Sequence, residues 1–378
     1  MASPRTIRVC FLLGIALGVI GIFWFSFKRN APPEPPNQGT EVISRPPEAS
    51  KPPGSTASPE ARVAALIRDS AEAIRANRDL AQASTLLNAL RNGLRQAPEE
   101  AAAVAIVAFL KSREDAATGL PFAVGPDGMM EVVPSLRLAL LDLLPSLDPL
   151  AALEMARAIM DQRTSPDEYA LALRNMAWND LDGDLRDELT GRFMDLLKSP
   201  WLEKPSAGFL EAFDIAVEVG GGPMFDRIVA LASEATAKSN TAASRAAFMS
   251  LDRMIVRDRG LLTAAFSADG GWLDFAPLQR ASLMSRLDIT EPGQREVFSR
   301  YLAATSHAAG ELEYFAKVFP NENFLYGHRL VTADEATPTI DEVKAADARV
   351  LGELDALEAT VPDAAKGAIR TIRERLKR

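Results

Sequence analysis

Two apolar patterns of different kind divide this chain. From Val9 to Phe27, nineteen consecutive positions carry no charged side chain. As a helix rising about 1.5 Å per residue, such a run is roughly 29 Å long, close to the hydrocarbon thickness of a bilayer. Arg8 and Lys28 close its ends, and Phe23, Trp24, Phe25 and Phe27 crowd the end where aromatic rings favour the membrane interface. From Ser58 onward the apolar positions recur at helical spacing instead, beginning with Val63, Leu66, Ile67, Ala71 and Ile74.

Between the two patterns the apolar positions all but vanish. Residues 30–58 hold the proline pairs Pro32-Pro33, Pro35-Pro36, Pro46-Pro47 and Pro52-Pro53, with Val42 and Ile43 as the only large apolar side chains. A segment of this kind buries too little surface to fold, and paired prolines favour an extended polyproline conformation. The pattern therefore predicts a short tail and transmembrane anchor over 1–29, then a disordered proline-rich stalk over 30–58. A helical domain follows over 59–330, with a C-terminal helical hairpin over 331–378.

Proline also punctuates the folded part. Ser58-Pro59-Glu60, Asp148-Pro149-Leu150 and Ser165-Pro166-Asp167 each place a capping side chain before a proline whose preset φ suits the first helical turn. Proline marks further openings at Pro98, Pro134, Pro277, Pro292 and Pro362. Alternating runs of β-branched and aromatic residues are missing, and leucine and alanine dominate. The body is expected to be all-α. Ala101–Leu110 and Leu136–Leu147 are apolar nearly all round, so they should be buried core helices, with Arg113–Met130 a Gly/Pro-rich loop between them. At the C-terminus, Val343, Val350, Leu354, Leu357 and Val361 line one face, which should pack on Ile369, Ile372 and Leu376.

Pro134, Pro149 and Pro166 open successive helices 15 and 17 residues apart, a hairpin period near 32. This geometry resembles the HEAT-like α-solenoid families over residues 60–320, although the fixed consensus positions of tetratricopeptide and ankyrin repeats are missing. The resemblance implies an α-α superhelix of stacked helical hairpins that binds protein. It assigns no role to any residue.

Charge and cysteine narrow the functional classes. The chain carries a net charge of −9, and Arg5, Arg8, Lys28 and Arg29 precede residue 30 without one acid beside them, so the remainder is more acidic still. Such a body repels phosphate backbones, and no nucleic-acid partner is expected. The single cysteine, Cys10, lies inside the apolar run, leaving no disulfide or thiolate chemistry to the body. No small-x-small cleavage site follows that run, so it reads as an uncleaved anchor. A slender excess of positive charge before the span places the N-terminus in the cytoplasm and the body outside it. With arginine well in excess of lysine and much alanine, the chain reads as a single-pass protein of a bacterial inner membrane with a periplasmic domain. Gly14, Gly18 and Gly21 share one face of the anchor and give a candidate homodimer contact.

Catalytic signatures are scarce. His307 and Glu311 stand at i, i+4, which by itself makes a weak metal pair. In calcium-loop register, Asp180–Asp184 would put Trp178 and Leu189 where oxygen ligands belong, so it reads as a helix-capping turn. Gly220-Gly221-Gly222 lacks the Lys-Ser/Thr of a phosphate loop and reads as a helix stop. No catalytic residue, cofactor or metal is predicted.

The aromatic stretch around Phe319, Phe324 and Tyr326 breaks the helical pattern and is the candidate protein-contact site. The expected function is a membrane-tethered, non-enzymatic scaffold that binds protein at the cell envelope. One alternative is a helical-toroid glycosidase or polysaccharide lyase acting on an envelope polymer, although Trp178, Trp201 and Trp272 are few rings for sugar stacking. The other is a self-assembling structural protein.

Overall fold

Helix openings predicted from proline and capping residues fall where the chemistry puts them. In the computed structural model, which describes residues 57–377 apart from 78, 269–271, 322–326, 334–337 and 360, α1 (Pro59–Ala76) begins behind Ser58, whose hydroxyl accepts from Ala61 N. It is followed by α2 (Leu80–Gln96) and α3 (Glu99–Ser112). Next come α4 (Leu136–Leu147), α5 (Pro149–Gln162), α6 (Pro166–Trp178) and α7 (Arg186–Leu197). Asp148 ends α4 and caps α5, and Ser165 caps α6, so single polar residues make the corners.

Two short helices, α8 (Ala207–Glu211) and α9 (Asp214–Val219), lead into α10 (Gly222–Ala237) and α11 (Thr241–Arg257). Gly220 and Gly221, with φ of +62° and +81°, turn the chain between α9 and α10 in a region that side chains rarely enter. The series continues with α12 (Arg259–Ala268), α13 (Pro277–Met284), α14 (Pro292–Ala303) and α15 (Glu311–Val318). It ends with α16 (Ile340–Leu357) and α17 (Asp363–Leu376). None of the described helices is long and apolar enough to cross a membrane, and Val9–Phe27 with Gly14, Gly18 and Gly21, and the stalk up to residue 56, lie outside the described residues.

The helices pack on others one to three places away in the chain. One row runs through α1, α3, α4, α6, α9, α11, α13, α15 and α17, each touching the next in that order. The intervening helices α2, α5, α7, α10, α12, α14 and α16 lean on this row from their places in the chain. The greasy segments sit at its centre. All nine positions from Leu136 to Leu144 in α4 are buried, as are all nine from Glu168 to Met176 in α6. Residues from Thr56 onward form one compact unit, and α17 packs on α15 as well as on α16. At that contact Leu354, Ile369 and Ile372 are fully buried.

The loop expected over Arg113–Met130 holds more order than predicted. Ala123–Val124 (β1) pairs antiparallel with Met130–Val132 (β2) in a two-stranded ribbon. Strands of two and three residues are too short for alternation to show in sequence. Asp142 draws the ribbon onto the helices by accepting from Met130 N at 3.0 Å.

Candidate functional site

The buried charges, candidates for chemistry by their kind, are joints between helices. On α4, Arg137 meets Glu168 of α6 side-on, with Nε–Oε1 and Nη2–Oε2 both 2.9 Å. One turn further along α4, Asp142 is 2% exposed and accepts from Arg174 Nη1 of α6 at 2.6 Å and Arg91 Nη2 of α2 at 3.3 Å. Arg174 is wholly buried, and its remaining donors reach Gly128 O, Asp142 O and Asn175 Oδ1 while the guanidinium stacks 4.2 Å from the Trp178 ring.

The same arrangement recurs along the row. Asp214 of α9 receives Arg253 Nη1 of α11 at 2.8 Å, the Thr332 hydroxyl at 2.5 Å, and the Val331 and Thr332 amides both at 2.7 Å. Burial pushes its carboxyl above the ordinary value, against the pull of Arg253 and these donors. These bonds tie residues 330–332 down, and Arg253 adds donations to His328 O and Ala333 O. Arg286 closes on Asp252 of α11 through two bonds of 2.9 and 2.8 Å.

Glu311 of α15 accepts from Arg280 of α13 twice, from the Tyr301 hydroxyl at 3.0 Å and from Ala308 N at 3.1 Å. Burial works to raise its pKa, but these donors together outweigh burial and leave it below the ordinary value. The Tyr301 hydroxyl is pushed far up by its own burial and by the adjacent Glu311 charge.

That arrangement decides the His307–Glu311 pair. His307 Nε2 lies 2.8 Å from Tyr301 O, while Nδ1 stands 3.4 Å from a Glu311 oxygen that Arg280 and Tyr301 already occupy. No group of three or more metal-ligating side chains forms among the described residues. Asp180 accepts from Leu185 N and so closes the turn ahead of α7, but α7 carries no side-chain cap, and the Asp-rich stretch does not cap the helix as expected.

Phe319 has no exposed surface. Its ring packs 4.9 Å from Phe298 and 5.2 Å from Phe315, centroid to centroid, and the chain there is held by Arg375 donating to Phe319 O. It is therefore a core residue and offers a partner nothing, because the apolar ring gains more from burial than from water. Phe324 and Tyr326 lie outside the described residues.

The residues bordering that stretch, Asn321 and His328, line two neighbouring hollows on either side of α11. The first, of about 550 Å³, lies between α11 and α13, with Ser244, Phe248 and Asp252 on one wall and Gln279, Ser282 and Leu283 on the other. The second, of about 510 Å³, runs from α11 to Leu210 of α8 and to His328. Thr241, Arg245 and Met249 border both, so their i, i+4, i+8 spacing makes a ridge between them.

Arg245 is exposed and has no ion-pair or hydrogen-bond partner among the described residues. Phe248 adds an apolar wall, its ring 6.3 Å from that of the exposed Phe275. His328 Nδ1 stands 3.2 Å from Glu211, whereas its Nε2 is buried with no hydrogen-bond partner. Polar and apolar side chains alternate along the walls of the groove.

No family model, curated protein or solved structure matches this chain. The groove itself was missed in the sequence. Arg245 and His328 are far apart in the chain and meet only through the fold, and an exposed arginine on an amphipathic helix carries no mark of its own.

Proposed function

We propose that this protein is a membrane-tethered, non-enzymatic helical scaffold that holds a protein partner along α11. The observation carrying this reading is the paired hollow itself, an open, mixed apolar and polar surface ridged by Thr241, Arg245 and Met249. Its one lining carboxylate, Asp252, is bound side-on by Arg286, which leaves the groove no pair of free acids for glycoside chemistry.

The body is read as an α-solenoid of HEAT-like hairpins. Two features support that reading: the helix row in which each member touches the next, and the spacing of the ion pairs. Arg137–Glu168, Asp142–Arg174, Arg157–Glu188, Arg163–Asp195 and Arg280–Glu311 are each separated by 31 or 32 residues. That is the hairpin period expected from the proline spacing. Such an array offers a continuous binding surface, and here residues 328–333 also lie back across Asp214 and Gly128, outside the neighbour-to-neighbour pattern.

The uncharged run Val9–Phe27 supports anchorage in a bacterial inner membrane, with the stalk over 30–58 as spacer and the body on the periplasmic side. Gly14, Gly18 and Gly21 give the anchor a face for pairing with a second copy. In-cell cross-linking of the full-length chain, repeated without residues 1–29, tests the whole reading. A discrete protein partner, recovered in lower yield without the anchor, is the expected outcome. Recovery of no protein adduct at α11 would refute the scaffold.

A further inference from the structure

The groove along α11 carries a charge, on Arg245, that no described residue compensates. Acids outnumber bases in this chain, 51 to 42. Other arginines nearby find carboxylates: Arg253 of α11 finds Asp214, Arg280 of α13 finds Glu311 and Arg286, just past α13, finds Asp252. Arg245 does not, although it borders both hollows. Asp252, the carboxylate of the first hollow, is already engaged by Arg286, and among the described residues no carboxylate lines the second hollow, Glu211 being turned to His328. Arg245 therefore offers both hollows a positive charge without a partner among the described residues, on a protein of net charge −9.

On this basis we infer that the two hollows take one acidic, apolar-flanked segment of a protein partner, with its carboxylate on Arg245 and its apolar side chains against Phe248 and Met249. The inference rests on the scaffold reading and specifies what the scaffold holds. The ridge from Thr241 to Met249 is about 12 Å long at the helical rise, room for some four residues of extended peptide. Arg245 offers a planar fork of donors suited to a carboxylate. Apolar side chains on either side of that carboxylate would cover Phe248 in one hollow and Leu210 in the other.

The test uses the full-length protein in detergent micelles and fluorescence anisotropy. The probes are fluorescein-labelled pools of ten-residue peptides with randomised apolar residues around a central Asp or Glu. Matched pools carry Asn or Gln, or Lys, at the centre. The acidic pool should bind at least about tenfold more tightly than the neutral pool, with the lysine pool weakest and the preference shrinking as salt rises. Arg245→Glu should abolish the preference, and Ala242→Trp, which fills the second hollow from an exposed position, should weaken all binding. Both changes lie on the surface, and unaltered thermal melts would show that the fold survives.

A preference that persists in Arg245→Glu, or lysine peptides binding as well as acidic ones, overturns the inference. So would a dimer that Arg245→Glu dissociates without any acidic preference, since the face would then belong to a second copy. Should wild type and Arg245→Glu cross-link the same partner equally well, the acidic segment is refuted while the scaffold stands. Absence of any partner would refute the scaffold itself.

Discussion

Arg280 and Glu311 meet side-on between α13 and α15, with Nε–Oε1 and Nη2–Oε2 both 2.8 Å, and only 4% of the arginine and none of the glutamate side chain exposed. Two charges withdrawn this far from water are stable only in each other's company. Removing one leaves the other desolvated and uncompensated, a change that costs about 3–5 kcal/mol. Arg280→Met alone is therefore expected to lower the urea midpoint sharply. Arg280→Met with Glu311→Leu should recover much of the loss, because the pair then gives way to packed apolar side chains. A double mutant no better than the single would contradict this.

The same pair sets an acid limit. Glu311 titrates in the folded protein below its ordinary value of 4.5, so the folded state favours its charged form. Its stabilisation is complete above about pH 5 and fades as pH falls through 4.5 towards the lowered value. Urea midpoints measured from pH 7 down to 3 should drop more steeply for wild type than for Glu311→Gln, which has no carboxylate to protonate. Parallel curves would rule the mechanism out.

Asp214 fastens residues 330–332 through two backbone amides, a hydroxyl and Arg253. Asp214→Asn keeps one acceptor oxygen and loses the charge, so this fastening should open locally. Hydrogen exchange at the Val331 and Thr332 amides is predicted to rise about a hundredfold, while amides in α4 and α6 change far less. Uniform acceleration across all helices would mean that Asp214 supports global stability instead.

Gly128 is the point where three distant segments crowd together. It has φ of +77°, and a Cβ there would stand 2.9 Å from the Trp178 ring and 3.0 Å from Leu330 O. Gly128→Ala should thus destabilise by about 1–3 kcal/mol, through left-handed backbone strain together with overpacking. Gly191→Ala, with open space around its added methyl, is the control and should be neutral or slightly stabilising.

Phe319 belongs to the ring cluster with Phe298, Phe315 and Tyr301. Its truncation to alanine should cost about 3–5 kcal/mol in chemical denaturation, the usual loss for a large buried ring. A cost below about 0.5 kcal/mol, typical of a surface position, would refute its placement in the core.

Much of the helical body was legible because its cues are local. Pro59, Pro149 and Pro166 announce helix starts through backbone geometry alone, and Ser58, Asp148 and Ser165 cap them within three residues. The buried character of α4 was also plain from its leucines. Its two charges, Arg137 and Asp142, looked like interruptions of an apolar run, since their partners Glu168 and Arg174 stand on another helix. A search for opposite charges one hairpin period apart would have turned them from blemishes into evidence. The ribbon at Ala123–Val132 was invisible because five strand residues make no pattern. Phe319 misled because aromatic residues in an irregular stretch look alike whether the rings point inward or outward. The α11 groove depends on side chains from four elements, and no local rule reports on such a meeting.

The direction of the buried ion pairs has a last consequence. The acid comes first in the chain at Asp142–Arg174, Asp214–Arg253 and Asp252–Arg286, but the arginine comes first at Arg137–Glu168 and Arg280–Glu311. Were two hairpins exchanged, or one skipped during synthesis and docking, some joints would set like charge against like inside a dry interior. The polarity of each pair thus works as a key cut for one partner, and it limits which helix can dock against which.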